Sequence, residues 1–233
     1  IHISPENKRF ADINGKIVVK KSNINNDIYD ILYYAVRNIE HVFISRNIKK
    51  IHECAFYKCK KIETFVFSED SQLEIIEDNA FRCSSITEIE IPKRVKVIGK
   101  RAFCYCEKLQ IVKLLKDSEL EIISEEAFEY SNLQSIFIPK NVIIIDNKAF
   151  NSCKKLYLID FDENSKLKYI GENAFNNVPI FKINIPKQVQ IIGSNAFFSC
   201  SNLNKVDFTD DSKLKSLIMM YFFTHQLKKL KFQ

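Results

Sequence analysis

Ile86-Thr87-Glu88-Ile89-Glu90-Ile91-Pro92-Lys93-Arg94-Val95-Lys96-Val97-Ile98-Gly99-Lys100-Arg101-Ala102-Phe103 is one copy of a pattern that returns along the chain on a fixed schedule. Its closing Ala-Phe pair recurs at Ala55-Phe56, Ala80-Phe81, Ala127-Phe128, Ala149-Phe150, Ala174-Phe175 and Ala196-Phe197, with spacings alternating between 25 and 22 residues. A further 25 residues reaches Tyr221-Phe222. A schedule of this kind points to a solenoid, in which each unit covers the apolar face of the one before it.

Within a unit the strand reads apolar-x-x-apolar-x-apolar, as in Ile86, Ile89, Ile91 or Leu133, Ile136, Ile138. The last two share a face in a period-two strand, and that face is the expected core. Pro92, Pro139 and Pro186 follow the strand directly in the short units, where a missing backbone donor ends a ladder. The return path carries an apolar pair (Val95 and Ile98, Val142 and Ile145, Val189 and Ile192) before the Ala-Phe pair. Gly99, Gly171 and Gly193 share one slot, which suggests a backbone conformation that a side chain would strain. Long units add polar surface loops such as 68–72 and 162–166. The expected fold is a leucine-rich repeat solenoid with one parallel sheet of about nine strands and short helical or irregular return segments.

Residues 1–35 leave the schedule. Ile1-His2-Ile3 reads as the end of an earlier repeat strand, and Asn14-Gly15 between the apolar runs Phe10–Ile13 and Ile17–Val19 is a strong hairpin signal. Ile31-Leu32-Tyr33-Tyr34 supplies a further strand, and residues 36–233 form the repeat array, in register from Ile39. The chain starts at Ile1 and ends on an apolar segment, Leu227 to Phe232, without a polar cap. These ends suggest a fragment with a tendency to self-associate through its last strand.

Apolar content of 46% and charged content of 27% are ordinary for a globular chain, and no run of about 18 apolar residues predicts a membrane span. The net charge is +6, but Lys and Arg are interspersed with 29 acids, so nucleic acid is not an expected partner. The four histidines lie far apart, and no phosphate loop, His-Glu-x-x-His pair or nucleophile elbow is present. Glu125-Glu126 and Asp210-Asp211 are assigned to loops facing solvent. Neither an enzyme, a small-molecule substrate nor a cofactor is expected.

Five of the seven cysteines, Cys59, Cys83, Cys106, Cys153 and Cys200, stand three residues before the first apolar position of a strand, with Tyr130 and Asn177 in the same place elsewhere. Neighbouring turns lie about 4.8 Å apart with parallel side chains, whereas a disulfide wants converging Cβ atoms near ~3.8 Å, so free buried thiols are expected. Cys104-Tyr105-Cys106 with Cys83 lacks the further ligands of a metal site. Cys54 and Cys104 make the total odd, which favours a reducing setting or a partner outside the fragment, and no Asn-x-Ser/Thr sequon occurs, which disfavours a glycosylated secretory route.

The string apolar-x-x-Ile-x-Ile-Pro-x-x-Val-x-x-Ile-Gly-x-x-Ala-Phe-x-x-Cys, carried with variations from Ile39 to Phe232, resembles the BspA-like class of leucine-rich repeat proteins. The opening 7–34 is similar to the hairpin module that interrupts arrays in that class, while Ile218 and Tyr221 depart from its usual Gly and Ala. The resemblance implies a cell-surface or extracellular protein that adheres to host matrix proteins or other cells. A cytoplasmic interaction scaffold or a structural, antigenic spacer is the alternative.

Alternation within the strands makes one face outward and available for a protein partner. It comprises His41 and Phe43, Thr64 and Val66, Glu88 and Glu90, Ile111 and Lys113, Ser135 and Phe137, Leu158 and Asp160, Lys182 and Asn184, Lys205 and Asp207, Lys229 and Lys231. Apolar groups dominate the first half of this face, and a lysine column at 182, 205 and 229 marks the second.

Overall fold

The computed structural model describes residues 1–209 and 211–217. It is a β-solenoid in which each turn has three parts: a four-residue strand, a two-residue strand and a turn segment bearing the Ala-Phe pair. The four-residue strands begin at His41–Ile44 and end at Lys205–Phe208, and their second and fourth residues point inward. Val42, Ile44, Ile89, Ile91, Ile136 and Ile138 are buried accordingly.

The single sheet of about nine strands is replaced by two ribbons. The continuous one has eleven strands, eight of them two-residue pieces such as Lys50–Ile51, Val97–Ile98 and Tyr169–Ile170, stacked parallel. The four-residue strands pair only two by two, His41–Ile44 with Thr64–Phe67, Glu88–Ile91 with Ile111–Leu114, and so on. Proline accounts for the interruption. The residue after a strand donates to the preceding turn, as Ser68 N does to Ile44 O at 3.0 Å and Asp162 N to Ile138 O at 3.1 Å. Pro92, Pro139 and Pro186 hold that position in the turns where pairing lapses, and they have no N–H to give.

Among the described residues the return path contains no helix. Two left-handed residues per turn prevent it: the one before Ala (Arg101, Glu126, Lys148, Asn173) and the one two after Phe (Tyr105, Tyr130, Ser152, Asn177), with φ between 54° and 57°. Alternating with right-handed neighbours, they turn every second N–H toward the following turn, so that Phe56 N reaches Ala80 O at 2.7 Å and Phe150 N reaches Ala174 O at 2.8 Å. The ladder offsets part of the roughly 1–2 kcal/mol that each left-handed side chain costs.

This polarity leaves the carbonyls of the first turn segment without a preceding turn. Ala35 N donates to Ala55 O at 3.0 Å, and Arg37 Nη1 donates to Ala55 O at 3.1 Å and Cys54 O at 3.4 Å. Arg37 is itself held over the Tyr34 ring, 4.6 Å from its centroid. The hairpin Phe10–Ile13 and Ile17–Lys20 forms about Asn14-Gly15 and passes through Ile31–Ala35 into the eleven-stranded sheet. It therefore closes the edge of that sheet. Residues 1–3 form no strand; they run beside the hairpin turn, with Ile1 N donating to Gly15 O at 3.0 Å and Ile3 N to Asp12 Oδ1 at 2.9 Å.

The core is a column for each slot. Phe56, Phe81, Phe103, Phe128, Phe150, Phe175 and Phe197 stack nearly parallel, with centroids 4.9 to 5.7 Å apart. Such ring pairs contribute about 0.5–1.5 kcal/mol each beyond burial.

The glycine slot is explained by close approach and not by a left-handed backbone, since only Gly15 among the glycines has positive φ. A Cβ on Gly171 would lie 2.4 Å from Asn147 N and 2.5 Å from Asp146 C, and one on Gly99 2.7 Å from Glu77 C.

The thiol column also differs from expectation. Cys59, Ser84, Cys106, Ser131, Cys153, Val178 and Cys200 occupy one buried column, three residues after each Phe, while Cys83 falls in the left-handed slot with Tyr130 and Asn177. Two cysteines never follow each other in that column, which separates them by a full turn more than a disulfide spans. All seven thiols are free, and Cys106, Cys153 and Cys200 each donate to the Phe carbonyl of the preceding turn at 3.0 to 3.1 Å. Burial pushes these three up to about 12.

Candidate protein-binding face

The in-register parallel pairing aligns the outward residues of each strand pair: His41 with Thr64, Phe43 with Val66, Ile111 with Glu88, Lys113 with Glu90, Ser135 with Leu158, Phe137 with Asp160, Lys182 with Lys205 and Asn184 with Asp207. All are exposed except Phe137 and Asp207, which are half-buried. Lys229 and Lys231 lie outside the described residues. The lysine column is weaker than its sequence suggests, because Lys205 Nζ sits 2.7 Å from Asp207 Oδ2.

Two apolar patches stand out on this face. Phe43 is 64% exposed beside Val66 at 53% on the first two turns. Further along, Leu158 is 47% exposed, and Tyr157 at 55% and Phe181 at 58% are exposed in the slot immediately before the strand. Other turns fill that slot with Glu63, Thr87, Gln110, Gln134 and Asn204. Sequence reasoning missed Tyr157 and Phe181 because it treated the position as free; the departure from a polar slot was the available signal. Between the patches, Glu90 opposite Lys113 forms a charge-complementary cross-strand pair.

A groove of about 580 Å³ opens beside the first patch, where Thr64–Phe67 and Glu88–Ile91 are not hydrogen-bonded to each other. Val66, Phe67 and Leu115 give it apolar walls, and Glu69, Glu90, Arg94 and Lys113 rim it with both signs of charge. The volume lies in the range of about 300–1,000 Å³ common for binding clefts.

Among the described residues, the buried charged groups are Glu126 and Glu129, in and beside the turn segment that bears Ala127-Phe128. Glu126, expected in a solvent-facing loop, is buried because its left-handed slot turns it toward Arg101. A hydrogen bond from Arg101, opposed by burial and helped by that residue's charge, holds the Glu126 carboxyl below the usual carboxylate range. Glu129 is displaced the other way: burial raises it, although Asn151 Nδ2 donates to its Oε1 at 2.7 Å. Cys104, whose Sγ is 3.8 Å from Glu129 Oε2, is pushed up to about 12 by burial first and by Glu129 second. An inert thiol beside a high carboxyl makes a poor nucleophile pair. Among the described residues, no group of three or more His, Cys, Asp or Glu is arranged to hold a metal ion, and no helix is long and apolar enough to cross a membrane.

Glu129→Gln keeps an acceptor for Asn151 and removes the buried charge. A folded-state carboxyl raised above its unfolded value weakens folding above that range and ceases to do so as pH falls. The variant is therefore expected to melt higher than the wild type at pH 7, and the gap is expected to close as pH drops below the ordinary carboxylate value of 4.5, as followed by thermal denaturation across pH.

The turn geometry and repeat spacing agree with comparison to known proteins. The family model for the BspA type leucine-rich repeat region, in six copies, matches residues 26–157 and 121–233. The chain belongs to the BspA-type leucine-rich repeat family. Its fold is similar to that of a leucine-rich repeat protein from Bacteroides ovatus, at TM-score 0.56 and 24% identity over 82% of this chain and 58% of that one. It is also similar to a leucine-rich cell surface protein from Faecalibacterium prausnitzii, at TM-score 0.55 and 21% identity over 88% of this chain and 53% of that one. The BspA-type chain thus spans little more than half the length of either structure. No curated protein matches the sequence.

Proposed function

We propose that this BspA-type array is a non-catalytic protein-binding or adhesion module, with residues 36–233 as the binding array and 1–35 as the end of a preceding repeat and an inserted hairpin module. The observation that supports this reading is the exposure of Phe43 and Val66, in register on neighbouring strands, with Leu158 outward on a later strand and Tyr157 and Phe181 exposed just before the strands of their turns. Aromatic residues with a polar surround are the groups that anchor protein interfaces, and a soluble repeat has no packing need for them there. Membership of the family supports a cell-surface location, with host matrix or cell-surface proteins as partners. The free thiols instead favour a cytoplasmic interaction scaffold of the same fold.

Surface plasmon resonance against a panel of matrix proteins tests the reading, using the wild type, a Phe43→Ser/Val66→Ser variant, a Tyr157→Ser/Phe181→Ser variant, and Tyr105→Ser/Tyr130→Ser on the opposite side as control. Loss of about tenfold or more for a strand-face variant with an unchanged melting temperature is expected, as for substitution of interface anchors. Binding by the wild type that survives both strand-face changes would contradict it.

A further inference from the structure

The loop edge beside the strand face carries a second charge pattern, independent of the apolar patches. In the long turns, the residues three and one before the final pair of each loop occupy fixed slots: Gln72 and Glu74, Glu119 and Glu121, Lys166 and Lys168, Lys213 and Lys215. The slots thus change from neutral or acidic to wholly basic at the middle of the array. The flanking short-turn cation persists throughout, as Arg46, Lys93, Lys140 and Lys187.

In the first half these cations are balanced. Arg46 pairs with Asp70 at 3.2 Å and Lys93 with Asp117 at 2.6 Å, each reaching one turn forward. The next member of the acidic column is Asn164, so the fixed partner for Lys140 is uncharged. Lys187 regains an acid, Asp211 at 3.2 Å, in a pair as exposed as the two of the first half, so the lapse falls on Lys140 and on the lysines of the long-turn slots. Lys166 Nζ donates to Asn141 Oδ1 at 2.9 Å, a neutral partner that leaves its charge uncompensated.

A cavity of about 310 Å³ lies within this basic half, lined by Lys166, Lys168 and Lys187 with Asn164, Ser165 and Gln188. Among the described residues lining it there is no carboxylate, whereas the groove on the earlier turns has four. Three ammonium groups, two amides and a hydroxyl offer donors to an anion. Repetition every second turn, as in Lys140 and Lys187 or Lys168 and Lys215, places like charges about 10 Å apart along the edge. That is a track for a linear polymer of regularly spaced anions. Aromatic side chains that would stack bases, and arginines that would fork onto phosphates, are both missing from the described lining.

We infer that the loop edge formed by Lys140, Lys166, Lys168 and Lys187 binds a sulfated polysaccharide, one sulfated sugar seating in the 310 Å³ cavity. The site is separate from the apolar strand face, so it stands or falls without the protein-binding reading.

Isothermal titration of the purified chain with a heparin-type sulfated oligosaccharide tests it, alongside the desulfated oligosaccharide and a single-stranded oligonucleotide of similar length. Lys166→Glu/Lys168→Glu is expected to weaken binding about tenfold or more and raised salt to weaken the wild type, because exposed charges act through a screened Coulomb field. Lys93→Glu/Lys96→Glu on the balanced half is expected to change it less than about twofold. Desulfated sugar is expected not to bind, and the oligonucleotide to bind more weakly. Wild-type-like binding by Lys166→Glu/Lys168→Glu, equal loss in the control variant, or an oligonucleotide bound as tightly as the sulfated sugar would overturn the assignment.

Discussion

Phe150→Ala is expected to cost about 3–5 kcal/mol of stability, the range for truncating a buried aromatic side chain. The ring has no exposed surface and stacks on Phe128 at 5.2 Å and Phe175 at 5.3 Å, so its loss opens a void bordered on both sides by rigid neighbours. Stability in a solenoid is a sum of unit terms and nearest-neighbour interfaces, and this change weakens two interfaces at the middle of the array. Chemical denaturation is therefore expected to show a lower midpoint and a separation of the unfolding transition into two steps. Tyr157→Ala, on the exposed face, is expected to cost less than about 0.5 kcal/mol. Similar costs at the two positions would show that the assignment of inward and outward residues is wrong.

The second large effect is expected at Gly171. An added methyl meets backbone atoms of the preceding turn at 2.4 and 2.5 Å, and backbone cannot swing aside as a side chain does. Gly171→Ala must push adjacent turns apart, breaking the bond from Gly171 N to Ile145 O at 2.8 Å or straining it. A destabilisation of about 2–3 kcal/mol follows from the usual cost of overpacking. The same change at Gly15 acts differently: φ is +65°, and the nearest atom to an added Cβ is Ile1 O at 3.2 Å, on the exposed hairpin. There the cost is about 1 kcal/mol of backbone strain. Equal melting temperatures for the wild type and Gly171→Ala would refute the close-approach explanation.

These two positions show what the sequence could and could not reveal. The Ala-Phe spacing located Phe150 in a core column, because a period fixes which residues stack without any need to know the path between them. The glycine slot was found by the same period, but its cause was not: recurrence identifies a constrained position and is silent on whether φ or crowding constrains it. The sheet was misjudged for a related reason. Alternation at Ile89 and Ile91 predicts a strand, yet whether strands join is decided by the absent N–H of Pro92 lying opposite the preceding turn, a relation between turns and not within one. Cys83 was placed with Cys106 because both stand three residues from the next apolar position; the one-residue difference before the strand is readable in the sequence, but that the column is counted from the Phe and not from the strand is a property of the backbone. On the candidate face, alternation gave the outward residues of the strands, while Tyr157 and Phe181 lie just outside the alternating run. The charge lapse at Asn164 was equally invisible, since it requires knowing that the cation of one turn faces the acid of the next.

Register is the claim on which every assignment of core, face and edge depends, and native-state thiol labelling followed by mass spectrometry tests it most directly. Cys54 and Cys83 are half-buried and are expected to react in the folded protein, while Cys59, Cys104, Cys106, Cys153 and Cys200 are expected to be protected. After unfolding without reductant, all seven are expected to react. Rapid native labelling of Cys106, Cys153 or Cys200, or any pair that stays unreactive after unfolding, would contradict the register and the separation of thiols along the buried column.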